Sequence, residues 1–382
     1  MAYLKAFNRS SAAYLLYAGL AAFWVLVQFL LYSKHGIKVV FDSKRYLAQA
    51  GMFATGDYSS LKISYIVYTT LLALSNWLGG LGWIVLLQTI VSGLAMVAMY
   101  KAACKLTGSE LVAALTTFLL ILWPDFQFWN LYIHTESLFV SVTCLVFWRL
   151  VTANKKSHYL HLSLLLLVVL FLRPNGFMVA VAVFVYWGIG FCKQREYNLW
   201  KAATLLLSLA SIVVLIVAHL FLQDISSDHS FTKFLVSGEV IQGYEPLRLE
   251  GITIAQPQGS PLQQTVAIVL SEPWFFLKQS LLRLLYYWGQ VRPYYSLWHN
   301  VAIVALIYPL YLLGIKALLA RMVEARVTGF IVFLMLQLSA MVVVSAVDWD
   351  NRFFLPLLPF VFLLGAIGIK ELLTKRAKQV KL

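Results

Sequence analysis

Just beyond the first hydrophobic stretch, the segment FDSKRYLAQA places one carboxylate, Asp42, beside Lys44, Arg45 and Tyr46. An ionisable group at the edge of a membrane costs free energy unless it has a partner or a task. A carboxylate with access to water and a substrate hydroxyl is a candidate general base. The alternative is a structural role, because aspartate before an apolar run is a common helix N-cap.

A second acidic position, Glu136, opens an apolar run in the segment IHTES, two residues after His134. Glutamate at this depth has to face water or the interior of a helical bundle. We expect Glu136 to orient the acceptor or the base. The structural alternative is a helix start with Thr135 as the N-cap and Glu136 in the first turn. For His134 the structural alternative is a histidine that only hydrogen-bonds to a backbone carbonyl or to water.

Two arginines accompany these acids in short turns between apolar runs, Arg173 in FLRPNGF and Arg352 in DWDNRFFLP. The planar guanidinium group suits bidentate binding of a phosphate or carboxylate. Pairing of Arg173 with Asp42 or Glu136, and of Arg352 with a neighbouring aspartate, are the structural alternatives. Together these groups suit a reaction in which a hydroxyl attacks while a lipid phosphate departs. The sequence holds no phosphate-binding Gly-rich loop, HExxH motif or Ser-centred elbow.

The elements that position these residues are predicted to be membrane helices. The chain has 382 residues, of which 61% are hydrophobic and 12% charged, and its mean hydropathy is +0.79. Apolar stretches of helical rather than strand length recur from end to end, so the fold class is all-α, a polytopic bundle of about 10 to 11 spans. The predicted spans are 12–32, 82–100, 109–123, 137–153, 159–172, 175–191, 201–222, 298–318, 327–346 and 354–370.

Charge patterning then predicts the topology. The formal net charge of +14 comes from short basic clusters beside the spans, a pattern typical of membrane orientation and anionic headgroups and not of a nucleic-acid partner. Every cluster lies in the cytoplasm if segment 63–79 stays in the interface instead of crossing. This choice gives ten crossings, and it places four polar segments on the outer face, at 41–46, 123–137, 172–176 and 348–356. They are predicted to converge on one site.

The chain divides by composition into three parts. Residues 1–222 form an N-terminal transmembrane module, 223–297 a long outer loop, and 298–382 the last helices with a basic tail. The second half of the loop is amphipathic and predicts an interfacial helix, with Trp274 at headgroup depth and three cations facing phosphate. These cations are Lys278, Arg283 and Arg292. The three cysteines show neither disulfide nor zinc spacing.

Five segments together resemble the GT-C superfamily of integral-membrane glycosyltransferases, which use polyprenyl-phosphate sugars and include mannosyltransferases and aminoarabinose transferases. They are DSKRYLAQA, the loop ending in HTES, LRPNG, the EPWFFLK to RP stretch, and DNRFFLPLLP. The resemblance implies that Asp42 is the catalytic base and that Lys62 helps to bind the donor phosphate. The sequence departs from the family where Asp42 is followed by Ser43 instead of a second acid, and it has no large outer domain.

These observations predict an inverting glycosyltransferase that moves a sugar from a polyprenyl-phosphate donor to a lipid or glycan acceptor. The expected location is the bacterial inner membrane, with the site on the extracytoplasmic side and no metal or other cofactor. Asp42 and Glu136 are the predicted catalytic residues. The predicted phosphate-binding residues are Lys62, Arg173, Arg352, Lys278 and Arg292, and the predicted substrate-binding residues are Tyr46, His134 and Asn175. A lipid or solute transporter and a non-catalytic subunit of an envelope-polysaccharide assembly are the alternatives.

Overall fold

The structure, a computed structural model, describes residues 2–195, 231–252, 261–348 and 350–379. These residues form helices joined by turns, with three isolated β-bridges and no extended strand among them. The all-α fold class is therefore confirmed for this part of the chain. The predicted span at 201–222 lies outside the described residues.

The described helices fall into those before the long loop and those within or after it. Their bounds are α1 Ala2–His35, α2 Ser43–Thr55, α3 Ile66–Trp77, α4 Gly82–Thr107, α5 Glu110–Leu122, α6 Pro124–Phe128, α7 Glu136–Thr152, α8 Lys156–Leu172 and α9 Gly176–Gln194. The later helices are α10 Phe231–Val236, α11 Pro261–Ser271, α12 Pro273–Gly289, α13 Leu297–Leu319, α14 Ala325–Ser345 and α15 Leu358–Gln379.

Six helices of the described residues are long and apolar enough to cross a membrane. They are Tyr14–His35, Gly82–Thr107, Gly176–Gln194, Leu297–Leu319, Ala325–Ser345 and Leu355–Lys375. A seventh span is possible if Glu110–Leu122 and Pro124–Leu131, which meet at a bend of 65°, act as one. The helices α7 and α8, with 17 residues each, are shorter than these six. The fold is thus consistent with an integral membrane protein, and the count of ten crossings stays a prediction.

Segment 63–79 is divided between a 3-10 turn, Ile63–Tyr65, and the 12-residue helix α3. At about 1.5 Å per residue this helix is about 18 Å long, whereas the hydrocarbon core measures roughly 30 Å. It is therefore too short to cross the membrane as a straight helix. Its predicted place in the interface remains a prediction.

The chain separates into two compact units, which are described one at a time. The first unit comprises Met1–Gly176, Pro309–Glu324 and Leu358–Leu382, and the second Phe177–Tyr308 and Ala325–Leu357. In the first unit, α4 packs against α5 and α7, α7 packs against α8, and α5 packs against α15. In the second unit, α12 and α10 pack against α14. The three-part division by composition stays a prediction.

Local sequence explains where several of these helices begin and end. Ser109 caps α5 by accepting a hydrogen bond from the Val112 amide. Gly56 ends α2 with a left-handed φ of 73°. After α8 the chain turns through Arg173, and a Cβ atom at Gly176 would lie 2.0 Å from the Val169 carbonyl oxygen. This turn therefore requires glycine, which holds Arg173 at the end of the first unit.

Candidate functional site

Three of the four predicted polar segments meet at one end of the first unit. The Lys38 amide donates to the Leu131 carbonyl at 2.9 Å, and the Ile133 amide donates to the Lys38 carbonyl at 2.9 Å. These bonds join the loop after α1 to the loop before α7. The Glu136–Arg173 contact adds the turn after α8. The fourth segment, 348–356, belongs to the second unit.

Glu136 is the centre of a buried charged group. It is the first residue of α7, and only 1% of its side chain is exposed. Arg173 Nη1 lies 2.9 Å from its Oε1, and the Thr135 hydroxyl donates to its Oε2 at 3.4 Å. Thr135 holds the N-cap position but makes no side-chain capping bond. Glu136 therefore forms an ion pair with Arg173. The sequence had left either Asp42 or Glu136 as the partner of this arginine.

His134 connects this charged group to the loop after α1. Its ring is fully buried, and Nε2 lies 2.9 Å from the Val40 carbonyl oxygen. Since a carbonyl oxygen only accepts, Nε2 has to carry a hydrogen in this arrangement. The other ring nitrogen, Nδ1, lies 3.6 Å from Glu136 Oε2. His134 therefore has the carbonyl partner of the structural alternative and also orders the backbone two residues before Asp42.

Asp42 lies immediately before α2, in the position of the predicted N-cap, but its side chain makes no capping hydrogen bond. Its carboxylate is 30% exposed and lies 3.5 Å from Arg45 Nη2. The preceding residue, Phe41, has a φ of +46°, which is an unfavourable conformation for a bulky side chain. Strain of this kind concentrates at functional sites. Asp42 is thus accessible, and the structural alternative explains its position but not its side chain.

Tyr46 forms part of the buried wall of the site. Its ring is buried, and it lies 5.2 Å from the rings of both Tyr65 and Tyr68 and 6.1 Å from that of His134. Burial, with the nearby Tyr65 and Glu136, raises the pKa of the Tyr46 phenol well above its usual range. The phenol therefore remains neutral at physiological pH and packs as part of the wall.

Arg45 is a site residue that the sequence predictions did not include. Its guanidinium carbon lies 5.1 Å from the ring centres of Tyr46 and Tyr65, and Nη2 donates to the Tyr46 hydroxyl at 3.4 Å. Cation–π contacts of this kind hold a guanidinium group in place. With 39% of its side chain exposed, Arg45 presents a positive charge directly beside Asp42. The spacing DxxR on one helix face was the signal available in the sequence.

Gln88 of α4 fixes the loop that carries His134 and Glu136. Its amide nitrogen donates to the carbonyls of Asn130 at 3.0 Å and of Tyr132 at 2.9 Å. Its amide oxygen accepts the Tyr68 hydroxyl at 3.1 Å. Every polar group of this fully buried side chain is thus used. Gln88 was not predicted, because one glutamine in an apolar run gives no indication of its partners.

A second set of buried amides holds the same loop at α1 and at the start of α7. The Gln28 amide donates to Gln127 Oε1 at 2.7 Å, and the Asn130 amide donates to Gln28 Oε1 at 3.0 Å and to Ser92 Oγ at 3.2 Å. The Ser137 hydroxyl donates to Asn130 Oδ1 at 2.5 Å. Fully satisfied polar networks rigidify a core. The site is therefore built on an ordered scaffold inside the bundle.

The remaining predicted residues of the first unit have less defined roles. Lys62 is partly exposed, just before the 3-10 turn Ile63–Tyr65. Asn175 is buried in the turn after Arg173, and its Oδ1 accepts no hydrogen bond from the described residues. Contact of either residue with a substrate stays a prediction.

The other predicted phosphate-binding residues lie in the second unit. The backbone amide of Arg352 donates to Asp348 Oδ2 at 2.7 Å, and its Nε lies 3.9 Å from the same oxygen. This loose contact matches the structural alternative for Arg352. Lys278 is exposed on α12. Phosphate binding by these residues stays a prediction.

Arg283 and Arg292 do not turn outward as the sequence predicted, and phosphate binding by Arg292 stays a prediction. Both side chains are fully buried. Arg292 Nη1 donates to the Tyr286 carbonyl at 2.6 Å, and Arg283 donates to three backbone carbonyls of the second unit. The physical reason is that a guanidinium group supplies several donors at once, and main-chain carbonyls near helix ends and in the adjoining loop accept them. Trp274, by contrast, is exposed, and its position at headgroup depth stays a prediction.

Comparison with known proteins adds no family assignment, because no protein-family model and no curated protein matches this chain.

Proposed function

We propose that this protein is an inverting membrane glycosyltransferase, which moves a sugar from a polyprenyl-phosphate donor to a hydroxyl of a lipid or glycan. The observation that carries the proposal is the setting of Asp42. This accessible carboxylate has no capping role and follows a strained residue. The backbone two residues before it contacts His134, which adjoins the buried Glu136–Arg173 pair. The proposed location is the inner membrane of a bacterium, with the site on the extracytoplasmic side.

In the proposed reaction, Asp42 accepts the proton of the acceptor hydroxyl as its oxygen attacks the anomeric carbon of the donor sugar. The bond from that carbon to the phosphate oxygen breaks, and the polyprenyl phosphate leaves with the electron pair. Attack opposite the leaving group inverts the anomeric configuration. Protonated Asp42 returns its proton to water, and the departing charge is stabilised by cations, for which Lys62 and Arg45 are the proposed candidates.

Glu136 and Arg173 have a different role in this proposal. Because the Glu136 carboxylate is 1% exposed and already paired, it does not serve as the proton acceptor. Its Oε2 lies 3.6 Å from Nδ1 of His134, whose Nε2 holds the Val40 carbonyl two residues before Asp42. Glu136 is therefore a positioning residue, and Arg173 balances its charge.

The test is transfer of a radiolabelled sugar from polyprenyl phosphate by purified protein, with a panel of sugars and lipid acceptors. Asp42→Asn is expected to lower turnover by about 10²- to 10⁴-fold, the usual contribution of a general base. Asp57→Asn is the matched control, since Asp57 is an exposed aspartate after α2 whose Oδ1 accepts the Ser59 amide. Full turnover by Asp42→Asn would overturn the mechanism.

A transporter is the second candidate, and two observations favour it. The unit contains a buried ion pair, Glu136–Arg173, and a bend of 65° between Glu110–Leu122 and Pro124–Leu131. Interrupted helices and buried charges are features of transport sites. Movement of the lipid-linked sugar across sealed vesicles, with the bond to phosphate intact, would support transport and not transfer.

A further inference from the structure

A second group of charged residues lies at the other end of the first unit, away from Asp42. Glu136 begins α7, and Arg149 follows it on the same helix about 20 Å further along the axis, at 1.5 Å per residue. The guanidinium carbon of Arg149 lies 4.2 Å from the centre of the Trp148 ring. Lys101 of α4 approaches the same ring, with its Nζ at 5.7 Å. One tryptophan thus contacts two cations from two helices.

These two cations have no acidic partner among the residues that the structure describes. The nearby acids are engaged elsewhere, since Glu110 accepts the Tyr100 hydroxyl and Glu371 pairs with Lys375 at 3.2 Å. Arg149 Nε is buried and donates to no described atom. Two like charges on one ring repel each other, and a buried donor without an acceptor costs free energy. An anion between them would relieve both costs.

The surroundings add positive charge. Lys105 is exposed in the last turn of α4, and Lys370 Nζ donates to the Thr107 carbonyl at the C-terminal end of the same helix, at 3.4 Å. A cation at a helix C-terminus is favourable, so the role of Lys370 is local. The same explanation covers Lys105, but Lys101 lies one turn earlier and is not explained in this way.

The depth of the group indicates the kind of anion. Lys101 lies about 9 Å before the end of α4 and Arg149 about 5 Å before the end of α7, at 1.5 Å per residue. The helix α4 is a candidate membrane span. Cations at this depth of a span reach the level of lipid headgroups, and basic pockets between spans bind anionic headgroups.

We propose that Lys101, Trp148 and Arg149 form a binding site for the phosphate headgroup of an anionic membrane phospholipid. Lys101 and Arg149 contact the phosphate oxygens, with the Arg149 Nε as one donor, and Lys105 adds attraction from one turn away. The ring of Trp148 holds both cations in place and lies against the lipid. This site is independent of the proposed sugar transfer.

The test uses the purified full chain in nanodiscs of phosphatidylcholine with or without phosphatidylglycerol or cardiolipin, and native mass spectrometry counts the retained lipids. The protein is expected to retain an anionic lipid in preference to phosphatidylcholine. The variant Lys101→Gln/Arg149→Gln is expected to weaken this binding roughly 20- to 30-fold, about fivefold for each lost charge. The control variant Lys34→Gln/Lys44→Gln loses two exposed lysines at the other end and should bind as the wild type does.

Two further arms make the result decisive. Lys101→Gln alone changes an exposed residue, so it should fold even if the double variant does not, and about fivefold weaker binding is expected. Inorganic phosphate in phosphatidylcholine nanodiscs should not raise the melting temperature. Stabilisation by phosphate alone would show a site for free anions, and equal retention of anionic lipid by all variants would show that these residues bind none. Either result overturns the proposal.

Discussion

Arg173 in the first unit and Arg283 in the second are both buried cations, but they are stabilised in different ways. Arg173 lies 2.9 Å from a buried carboxylate, that of Glu136. Among the described residues, Arg283 donates only to backbone carbonyls, from Nη1 to Val343 at 2.6 Å, from Nη2 to Phe234 at 2.6 Å, and from Nε to Glu239 at 3.0 Å. Burial lowers the pKa of Arg283 to about 10, so it stays charged at neutral pH.

The difference suggests a criterion for deciding which arginine belongs to the candidate site. A cation held by main-chain oxygens depends on the local backbone and serves the fold. A cation held by a carboxylate depends on the charge of its partner, which chemistry at the site or a substituted side chain can change. We therefore assign Arg283 to the stability of the second unit and Arg173 to the electrostatics around Asp42. Changes in the partners of each arginine test this assignment.

The largest effect is expected from removing the charge of Glu136. Glu136→Gln leaves Arg173 buried without an acid, and breaking such a pair costs about 3–5 kcal/mol. Replacing both residues, in Glu136→Gln/Arg173→Met, should recover part of this loss because no uncompensated charge remains. Chemical unfolding in detergent measures both variants. Wild-type stability of Glu136→Gln would show that the pair is not electrostatically important.

Arg283→Met is expected to have the second-largest effect. It should lower the free energy of unfolding by roughly 3 kcal/mol, because three carbonyls each lose a donor at about 1 kcal/mol. Arg283→Lys is the matched variant, because it keeps the charge and replaces the planar group by a single ammonium. It should recover only part of the stability. The measurement is again unfolding in detergent, and complete rescue by lysine would mean that charge matters more than the geometry of the guanidinium group.

Much of the first unit could be predicted from the sequence. Hydropathy and the lengths of apolar runs predicted a helical fold, and positive clusters predicted that segments 41–46, 123–137 and 172–176 share one end. Pairing of Arg173 with Glu136 was among the alternatives, because both residues flank apolar runs in segments that were predicted to share one end. These predictions needed only local sequence and the free energy of placing charge in hydrocarbon.

The inward-facing polar residues could not be predicted in the same way. Gln88 and Arg283 lie in helices whose sequence gives no sign of which loop carbonyls they contact. Those partners are 42 and 44 residues away along the chain and are brought near only by tertiary packing. An amphipathic pattern predicts a polar and an apolar helix face. It does not predict whether the cations of the polar face contact lipid phosphate or protein carbonyls, because that depends on which elements pack over the helix. This is why Arg283 and Arg292 were assigned to the wrong surroundings.

A smaller effect on stability, with a clear effect on the site, is expected for Gln88→Leu. The change removes the donors to the Asn130 and Tyr132 carbonyls and the acceptor of the Tyr68 hydroxyl, at a cost of about 1–3 kcal/mol. Tyr68→Phe is the control, since it removes one of these bonds and keeps the ring against Tyr46. If Gln88 positions the loop, its variant should lower turnover more than Tyr68→Phe does, and equal turnover would contradict that role.

The smallest effect separates the two arginines most directly. Glu239→Gln is the same chemical change as Glu136→Gln, but Arg283 uses the main-chain carbonyl of Glu239, which the substitution leaves in place. Only a through-space attraction to the partly exposed carboxylate is lost, so we expect a change within about 0.5 kcal/mol in the unfolding experiment. A loss as large as that of Glu136→Gln would show that Arg283 also depends on a carboxylate. In that case the distinction between a structural and a site arginine would no longer hold.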